Sequence, residues 1–359
     1  MVISKIKLAN FRNLKSFSVY PSAKLNLLQG GNGSGKTAVL EAICFMARGR
    51  SFRPGVAGGL INLESKSMAV HLDVEESNGT TLCFSGISQK GEPTLFQVDG
   101  LNRSRGSDIS RALPVQIITP DESDLVFSGP SVRRSFLDWG LFHVEHEYLE
   151  LARKYKKTLK QRNAWIKAGA RVSDPWLHEL AALAAKINEQ RESYLARICH
   201  LLRAELGAFG GFGKIQLDYY GGGVGLDPNE TLEKFQSQIP YDQKAGATSL
   251  GPHRGDIKIV FNGIAAKDYL SRGQAKLVSV LFALSQTRLL LNERSRKSIL
   301  LIDDISAELD EDNLVQCMEM ISEMQMQTFM TSSNVFLSTI FEKSFEESKT
   351  FHVKHGQVI

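Results

Sequence analysis

Residues 30–37, with the sequence Gly30-Gly31-Asn32-Gly33-Ser34-Gly35-Lys36-Thr37, decide the fold of this chain. They match G-x-x-x-x-G-K-[ST] at every fixed position and lie between an apolar segment, Leu25–Leu28, and apolar residues at helical spacing in Ala38–Ala47. In such a loop the backbone N–H groups converge on phosphate oxygens, Lys36 reaches the β- and γ-phosphates, and Thr37 holds Mg²⁺. The sequence therefore predicts a nucleotide site, and a glycine loop without a ligand is the weaker alternative.

A second apolar segment, Ser298–Ile302, ends in two carboxylates and has the form of a Walker B strand. Asp303 is expected to hold Mg²⁺, and Asp304 stands where a general base for the attacking water belongs. Two solvated aspartates that end a strand are the structural alternative. Because Asp303 follows Thr37 by 266 residues, we expect a large insertion between the two halves of the site.

Composition limits the class of protein. The 359 residues are 42% hydrophobic, which is enough for an α/β core and a second lobe. The net charge of +4 demands no polyanionic partner, so a nucleic-acid surface would have to be a local cluster. The four cysteines show no metal-binding spacing, and the chain contains no signal peptide and no apolar run of membrane length, so a cytoplasmic protein is expected.

The patterning predicts a mixed α/β phosphate-loop core with an antiparallel β subdomain and an inserted helical second lobe. We assign 1–125 and 246–359 to the ATPase lobe and 126–245 to the inserted lobe. The antiparallel subdomain is predicted from an opening hairpin and from strands near 68–74, 81–84, 95–98 and 115–119. The pattern is helical from 131 to 206, glycine-rich from 207 to 225, and returns to the first core with strands at 257–261, 299–302 and 328–331.

Leu270-Ser271-Arg272-Gly273-Gln274 resembles the L-S-G-G-Q signature of ABC and SMC ATPases, with arginine in place of the first glycine. Taken alone, it would be an ordinary capped helix start with an anion site. The resemblance implies that Ser271, Arg272, Gly273 and Gln274 receive the γ-phosphate bound by the other subunit. It therefore implies an ATP-dependent homodimer.

Two neighbouring segments extend this resemblance. Ile305–Asp310 is similar to the D-loop, although Asp310 could equally cap a helix beginning near Asp312. The switch histidine of the class is absent from Phe329–Asn334, so sensing of the γ-phosphate by a hydroxyl or by Asn334 stays open. Asp304 is shorter than the glutamate usual at this position, and slow hydrolysis is expected.

Four passages resemble the RecF family of bacterial recombination mediators, and they span nearly the whole chain: Asn10–Leu14, Thr119–Asp138, Gly251–Arg254 and Ile302–Asp310. The helical lobe is short, and the long coiled-coil arms of SMC proteins are absent. Ser128 and Asn313 depart from the family pattern. The resemblance implies a weak DNA-stimulated ATPase of recombinational repair and replication that binds single-stranded, gapped or junction DNA. It also implies recombinase loading with RecO and RecR, and a link to SOS induction.

Other contacts to DNA and nucleotide are predicted less directly. The first long helix of the inserted lobe is basic, and we weigh a DNA-binding stripe equally against a solvated face; its members are Arg153, Lys154, Lys156, Lys157, Lys160, Arg162 and Lys167. Arg12 could approach the nucleotide base, as in related ATPases, or be a surface turn residue. Gln116 could be the glutamine that senses metal and water, or part of a core strand.

Three rival functions share part of this pattern. A transporter ATPase subunit would need a surface that couples to membrane helices and would normally keep the switch histidine. A nucleotide-switched scaffold would recruit repair proteins without gripping DNA itself. An ATPase fused to nuclease chemistry would need a further carboxylate cluster, and the sequence offers none.

Overall fold

The computed structural model describes residues 1–53, 59–102, 106–119, 125–169, 174–294, 297–305, 309–333 and 344–359. The chain forms two compact units: Met1–Ser123 with Arg272–Ile359, and Asp124–Ser271. A membrane-spanning helix needs both length and apolar character, and no helix in the described ranges has both.

The first unit contains two sheets and the helices around them. Its strands are β1 Val2–Phe11, β2 Leu14–Val19, β3 Leu25–Gln29, β4 Ser67–Glu75, β5 Thr81–Gln89, β6 Leu95–Val98, β7 Leu101–Asn102, β8 Val115–Ile118, β12 Ile299–Ile302, β13 Thr328–Ser332, β14 Ser348–Lys354 and β15 Gln357–Val358. Its helices are α1 Lys36–Arg48, α2 Gly106–Ala112, α8 Arg272–Arg294 and α9 Glu311–Glu323.

The second unit is mainly helical. Its helices are α3 Pro130–Val144, α4 Tyr148–Lys167, α5 Leu177–Phe209, α6 Pro228–Ala245 and α7 Ala266–Tyr269, with a 3-10 turn at Pro252–Arg254. Its strands are β9 Ile215–Tyr220, β10 Asp256–Phe261 and β11 Ile264–Ala265.

The sheet that carries the phosphate loop has the strand order β15-β14-β3-β13-β12-β8. Its pairs are parallel except for the terminal β14–β15 hairpin. Every residue of β3, β12 and β8 is buried, as expected for parallel strands covered on both faces. The prediction that 115–119 joins the antiparallel sheet was wrong, because β8 pairs in parallel with β12.

The antiparallel subdomain has the order β2-β1-β4-β5-β6-β7. Along β4 buried and half-buried residues alternate, so one face enters the core. Helix α1 is apolar on nearly all sides, and its side chains share one core with residues of both sheets. This burial fixes the helix that follows the phosphate loop.

The strand pairing places the second boundary of the inserted lobe later in the chain than we predicted. We predicted that the first core resumes at residue 246, but β10 pairs with β9 and β11 inside the second unit. The predicted glycine-rich loop at 207–225 contains β9 itself. The predicted strand at 257–261 is present as β10, but its assignment to the first core was wrong, and β9 was missed. Pairing between two distant segments leaves no local signal in the sequence.

Candidate nucleotide site

The phosphate loop connects β3 to α1 and ends at Gly35, the residue before the helix. Gly35 has φ 115°, and a Cβ there would lie 2.7 Å from Leu14 Cδ2. Any residue with a side chain would therefore be strained and would clash with the core. The sequence needs glycine here so that the helix N-terminus can face a ligand.

Two turns hold the loop in place. Asn13, between β1 and β2, donates from Nδ2 to the Gly33 carbonyl at 3.0 Å. Gly356, in the β14–β15 turn, donates its N–H to the Ser34 carbonyl at 2.9 Å. Sequence analysis missed this C-terminal hairpin, although Gly356, with φ 77°, is the glycine that such a turn requires.

Lys36 points back across the loop. Its Nζ donates to the carbonyls of Gly30 at 2.5 Å and Gly31 at 3.0 Å. Burial lowers the pKa of Lys36, while the nearby carboxylates of Asp304 and Asp303 act in the opposite direction. The Lys36 ammonium group therefore lies beside both the loop and the Walker B carboxylates.

Hydroxyl groups tie the two halves of the site together. Thr37 Oγ1 donates to Asp303 Oδ1 at 2.9 Å, and Thr331 Oγ1 donates to the same oxygen at 2.7 Å. The Asp304 N–H donates to Thr331 Oγ1 at 3.0 Å. Asp304 has φ 46°, a left-handed conformation uncommon for a residue other than glycine, asparagine or aspartate.

These side chains line one cavity of about 910 Å³, within the range of ligand pockets. Its lining residues all belong to the first unit: Arg12, Asn13, Asn32–Ala38, Phe52, Arg53, Gly59, Ile61–Glu64, Thr119, Asp303, Asp304 and Thr331. The cavity thus brings Lys36 and Thr37 of the loop together with Asp303 and Asp304, although the two pairs are far apart in sequence.

The residues present fit ATP with Mg²⁺. Ser34 Oγ is buried and has no hydrogen-bond partner among the described residues, so the loop keeps an unused polar group. The loop places backbone N–H groups at the start of α1, where an anion is favoured. Thr37 and Asp303 supply the hard oxygen donors that Mg²⁺ prefers.

Arg12 lines the cavity, but its guanidinium is held by a buried partner. It forms a bidentate pair with Glu41 of α1, with Nε–Oε2 at 2.9 Å and Nη2–Oε1 at 2.5 Å, and Nη1 donates to the Gly59 carbonyl at 2.8 Å. The Glu41 side chain is 0% exposed and also accepts from the Ser51 hydroxyl. The structure thus gives Arg12 a role in joining the first turn to α1, which sequence analysis did not anticipate.

Of the two residues considered for sensing, the structure describes only Gln116. Gln116 is buried in the middle of β8 and does not line the cavity, whereas Thr119, just beyond that strand, does. Asn334 lies outside the described residues.

The signature residues are solvent-exposed at the start of α8. Ser271, Arg272, Gly273 and Gln274 are all exposed in the single chain, and none of them lines the cavity. Of the segment similar to the D-loop, residues 306–308 lie outside the described ranges. Asp310 caps α9 by accepting from the Asn313 N–H at 2.9 Å.

The basic helix α4 divides into buried and exposed positions. Arg162 was placed in the predicted stripe, but its side chain is 0% exposed and pairs with Asp174 and Asp242. Arg153 pairs with Glu150 three residues earlier. The exposed members are the lysines at 154, 156, 157, 160 and 167. Lys156, Lys160 and Lys167 recur at spacings of four and seven residues, which places them on one face.

Comparison with known proteins identifies the family. The family model described as RecF/RecN/SMC N terminal domain matches residues 2–357. The chain is 34% identical over 366 residues to a DNA replication and repair protein RecF of Pseudomonas putida (strain GB-1), covering 100% of this chain and 98% of that protein. The chain belongs to the RecF family. A RecF from Vibrio atlanticus (strain LGP32) is also 34% identical, over 361 residues, with 100% and 99% coverage.

Solved structures agree with the fold of this RecF-family chain. A structure of the recombination mediator protein RecF-ATPrS in the RecFOR pathway has a TM-score of 0.85 and 26% identity, over 99% of this chain and 97% of that one. An SMC head bound to the C-winged helix domain of ScpA has a TM-score of 0.60 at 14% identity, covering 100% and 98%, and supports the fold alone. The predicted fold class and the resemblance to the RecF family are confirmed.

Proposed function

We propose that this chain is an ATP-dependent DNA-binding protein of recombinational repair and replication, in which nucleotide binding drives dimerisation and DNA grip. The observation that carries the proposal is the convergence of Lys36, Thr37, Asp303 and Asp304 in one cavity at the end of the parallel sheet. Ligands bind at this edge in open α/β folds. The solved relative described as RecF-ATPrS supports the choice of ATP.

Each residue has a distinct role in the proposed reaction. ATP with Mg²⁺ supplies the transferable phosphoryl group and a charge-neutralising cation. Lys36 neutralises phosphate oxygens, and Thr37 with Asp303 holds the cation. Asp304 orients the attacking water and accepts its proton. Since an aspartate reaches less far than a glutamate, slow hydrolysis is the expected behaviour, and ATP acts as a switch.

The exposed signature residues support a second step, the formation of an ATP-dependent dimer. Ser271, Gly273 and Gln274 offer hydroxyl, backbone and amide donors to the γ-phosphate held by another copy, and Arg272 adds a positive charge. Two equivalent sites then require a symmetric dimer in which each copy presents the same surface. The dimer would form only with ATP, because nucleotide completes the interface.

The exposed lysines of α4 support direct DNA contact, since clustered lysines neutralise phosphates. The solved relative described as RecF-ATPrS is assigned to a RecFOR pathway, and we propose RecO and RecR as partners in recombinase loading, with a link to SOS induction. Single-stranded, gapped or junction DNA is the proposed target, and the cytoplasm the proposed location.

The deciding experiment measures DNA binding and light scattering of the full chain with and without ATP·Mg²⁺. We expect ATP to produce a dimer and tighter binding, and both effects to be lost in Lys36→Met and Ser271→Arg. Lys90→Met, which removes an exposed lysine of the first unit that does not line the nucleotide cavity, is the matched control. If the protein dimerises with ATP but does not bind DNA, the scaffold function replaces this proposal.

A further inference from the structure

A group of metal-ligating side chains lies in the antiparallel sheet, outside the nucleotide cavity. His71 and Asp73 are two residues apart on β4, so they share one face of the strand, and Asp73 pairs with Cys83 on β5. The intervening residue Leu72 is buried in the core. The three side chains therefore project from the face opposite that core, where they are partly exposed.

The contacts of the group converge on one oxygen atom. His71 Nε2 lies 2.7 Å from Asp73 Oδ1, and Cys83 Sγ lies 3.4 Å from the same atom. One ligand atom of each residue lies within 4.8 Å of the other two. Lys5 Nζ approaches the other carboxylate oxygen, Oδ2, at 3.8 Å. The lysine thus leaves Oδ1 facing the imidazole and the thiol.

The imidazole ring is oriented by a second contact. Ser85 pairs with His71 across the two strands, and its Oγ lies 3.1 Å from His71 Nδ1. A hydrogen bond on the far ring nitrogen is what fixes ligating histidines in metal sites. Here it directs Nε2 toward Asp73 and Cys83.

We propose that His71 Nε2, the Asp73 carboxylate and the Cys83 thiolate bind a borderline divalent cation of the Zn²⁺ class. A nitrogen, oxygen and sulfur donor set suits Zn²⁺, whereas Mg²⁺ and Ca²⁺ require oxygen ligands. The thiol releases its proton to solvent as the metal–sulfur bond forms. Because the side chains are partly exposed, water takes the fourth position of the tetrahedron.

Two of the three separations between ligand atoms lie close to those of a tetrahedral site. With metal–ligand bonds of about 2.0 to 2.3 Å, ligand atoms of a tetrahedral site lie about 3.3 to 3.7 Å apart. The Sγ–Oδ1 separation of 3.4 Å already fits. The Nε2–Oδ1 separation of 2.7 Å must widen by about 0.6 Å, and the 35% exposure of the His71 side chain allows that movement. A bound cation would then cross-link β4 to β5.

The first test is Co²⁺ titration of the full-length reduced protein, followed by absorption spectroscopy. We expect one Co²⁺ per chain with a thiolate-to-cobalt charge-transfer band, and Zn²⁺ should displace it. Cys83→Ser and His71→Ala should lose the band, while Cys199→Ser and His352→Ala, which change residues outside the group, should keep it. Thermal unfolding without metal checks that every variant is folded.

A second test needs no variant. Zn²⁺ should slow alkylation of Cys83 by iodoacetamide at least tenfold, as measured by peptide mass spectrometry, and chelation should restore the rate. The other three cysteines are buried, so they serve as internal controls. The proposal would be overturned if Co²⁺ binds without a charge-transfer band, or if Zn²⁺ leaves the alkylation rate of Cys83 unchanged. Neither result bears on ATP or DNA binding.

Discussion

Among single side chains, Thr331 connects the two aspartates that follow β12. Its hydroxyl donates to Asp303 Oδ1 and accepts from the Asp304 N–H, at the residue whose backbone is left-handed. Thr331 therefore positions both the cation ligand and the proposed base without itself performing chemistry. The sequence left open that a hydroxyl acts here but could not locate it, because the contact joins β13 to the end of β12.

We expect Thr331→Val to lower ATP turnover by about 10- to 100-fold, the usual cost of removing a group that orients a metal ligand. It should also raise the Mg²⁺ concentration needed for half-maximal rate, and Thr331→Ser should restore both. Thr328→Val is the matched control, since Thr328 lies on the same strand and its buried hydroxyl has no hydrogen-bond partner in the described part of the chain. Equal turnover in Thr331→Val and the control would contradict the positioning role.

We expect His253 to make the stability of the second unit depend on pH. Its Nε2 lies 3.1 Å from the Thr248 carbonyl and its Nδ1 lies 2.7 Å from the Tyr155 hydroxyl. Because a carbonyl can only accept, Nε2 carries the proton and Nδ1 accepts from Tyr155 in the neutral ring. Burial lowers the pKa of His253 below 6.5, and the nearby guanidinium groups of Arg254 and Arg134 act in the same direction.

Between the ordinary pKa of 6.5 and the lower folded value, the unfolded state binds more protons than the folded state. The free energy of unfolding should therefore fall as the pH falls below about 6.5. Tryptophan fluorescence during urea unfolding measures this effect in the second unit, which contains all three tryptophans, Trp139, Trp165 and Trp176. His253→Gln should flatten the pH dependence. The exposed control His352→Gln should not, and a profile unchanged in His253→Gln would refute the assignment.

Among the elements, helix α4 carries two kinds of basic residue. One is buried and stabilises the fold, and the others are exposed and accessible to DNA. Arg162 is buried between two aspartates, and breaking such a pair typically costs about 3 to 5 kcal/mol. Lys156, Lys160 and Lys167 are exposed and share one face. The sequence predicted a basic stripe but could not tell these two classes of residue apart.

Replacing Lys156, Lys160 and Lys167 by alanine should weaken DNA binding and reduce its salt dependence. Each lost phosphate contact should lower the slope of log K against log salt by about 0.7 to 0.9. Lys234→Ala with Lys244→Ala on α6 removes exposed charge from the same unit and is the control. If both sets of substitutions change the slope equally per lysine, α4 is only a solvated face.

What the sequence could predict depended on the range of the interactions. The phosphate loop, α1, β12 and the cap of α9 by Asp310 follow from adjacent residues, and the structure has each of them. The parallel partner of β8 and the β9–β10 pair required contacts between distant segments. The bidentate Arg12–Glu41 pair was missed for the same reason, since Glu41 is simply one residue of an apolar helix in the sequence.

For the whole molecule, the central question is whether one chain can complete a nucleotide site. The cavity contains Lys36, Thr37 and both Walker B aspartates, but Arg272, Gly273 and Gln274 do not line it and are exposed. If a second copy supplies the signature, each ATP belongs to two chains. Two defects placed on different chains should then leave one site intact.

We therefore expect Lys36→Met and Ser271→Arg, each inactive alone, to recover part of the ATP-dependent dimerisation when mixed. A mixed dimer joins the intact phosphate loop of the Ser271→Arg chain to the intact signature of the Lys36→Met chain, while its other site carries both defects. Light scattering across mixing ratios should show maximal recovery near equal amounts, and the double variant on one chain, mixed with either single variant, is the control that should recover nothing. If equal mixing stays monomeric while unmodified protein dimerises under the same conditions, either one sandwiched nucleotide is too weak to close the dimer or the signature acts within its own chain. Mixing a labelled double variant with unmodified protein separates the two, because a dimer of those two chains has an intact site only if the phosphate loop and the signature act within one chain. Labelled double variant found in dimers of that second mixture, with no dimers in the first, would assign the signature to its own chain, because a site shared between chains leaves one intact sandwich in the first mixture and none in a dimer of the double variant with unmodified protein.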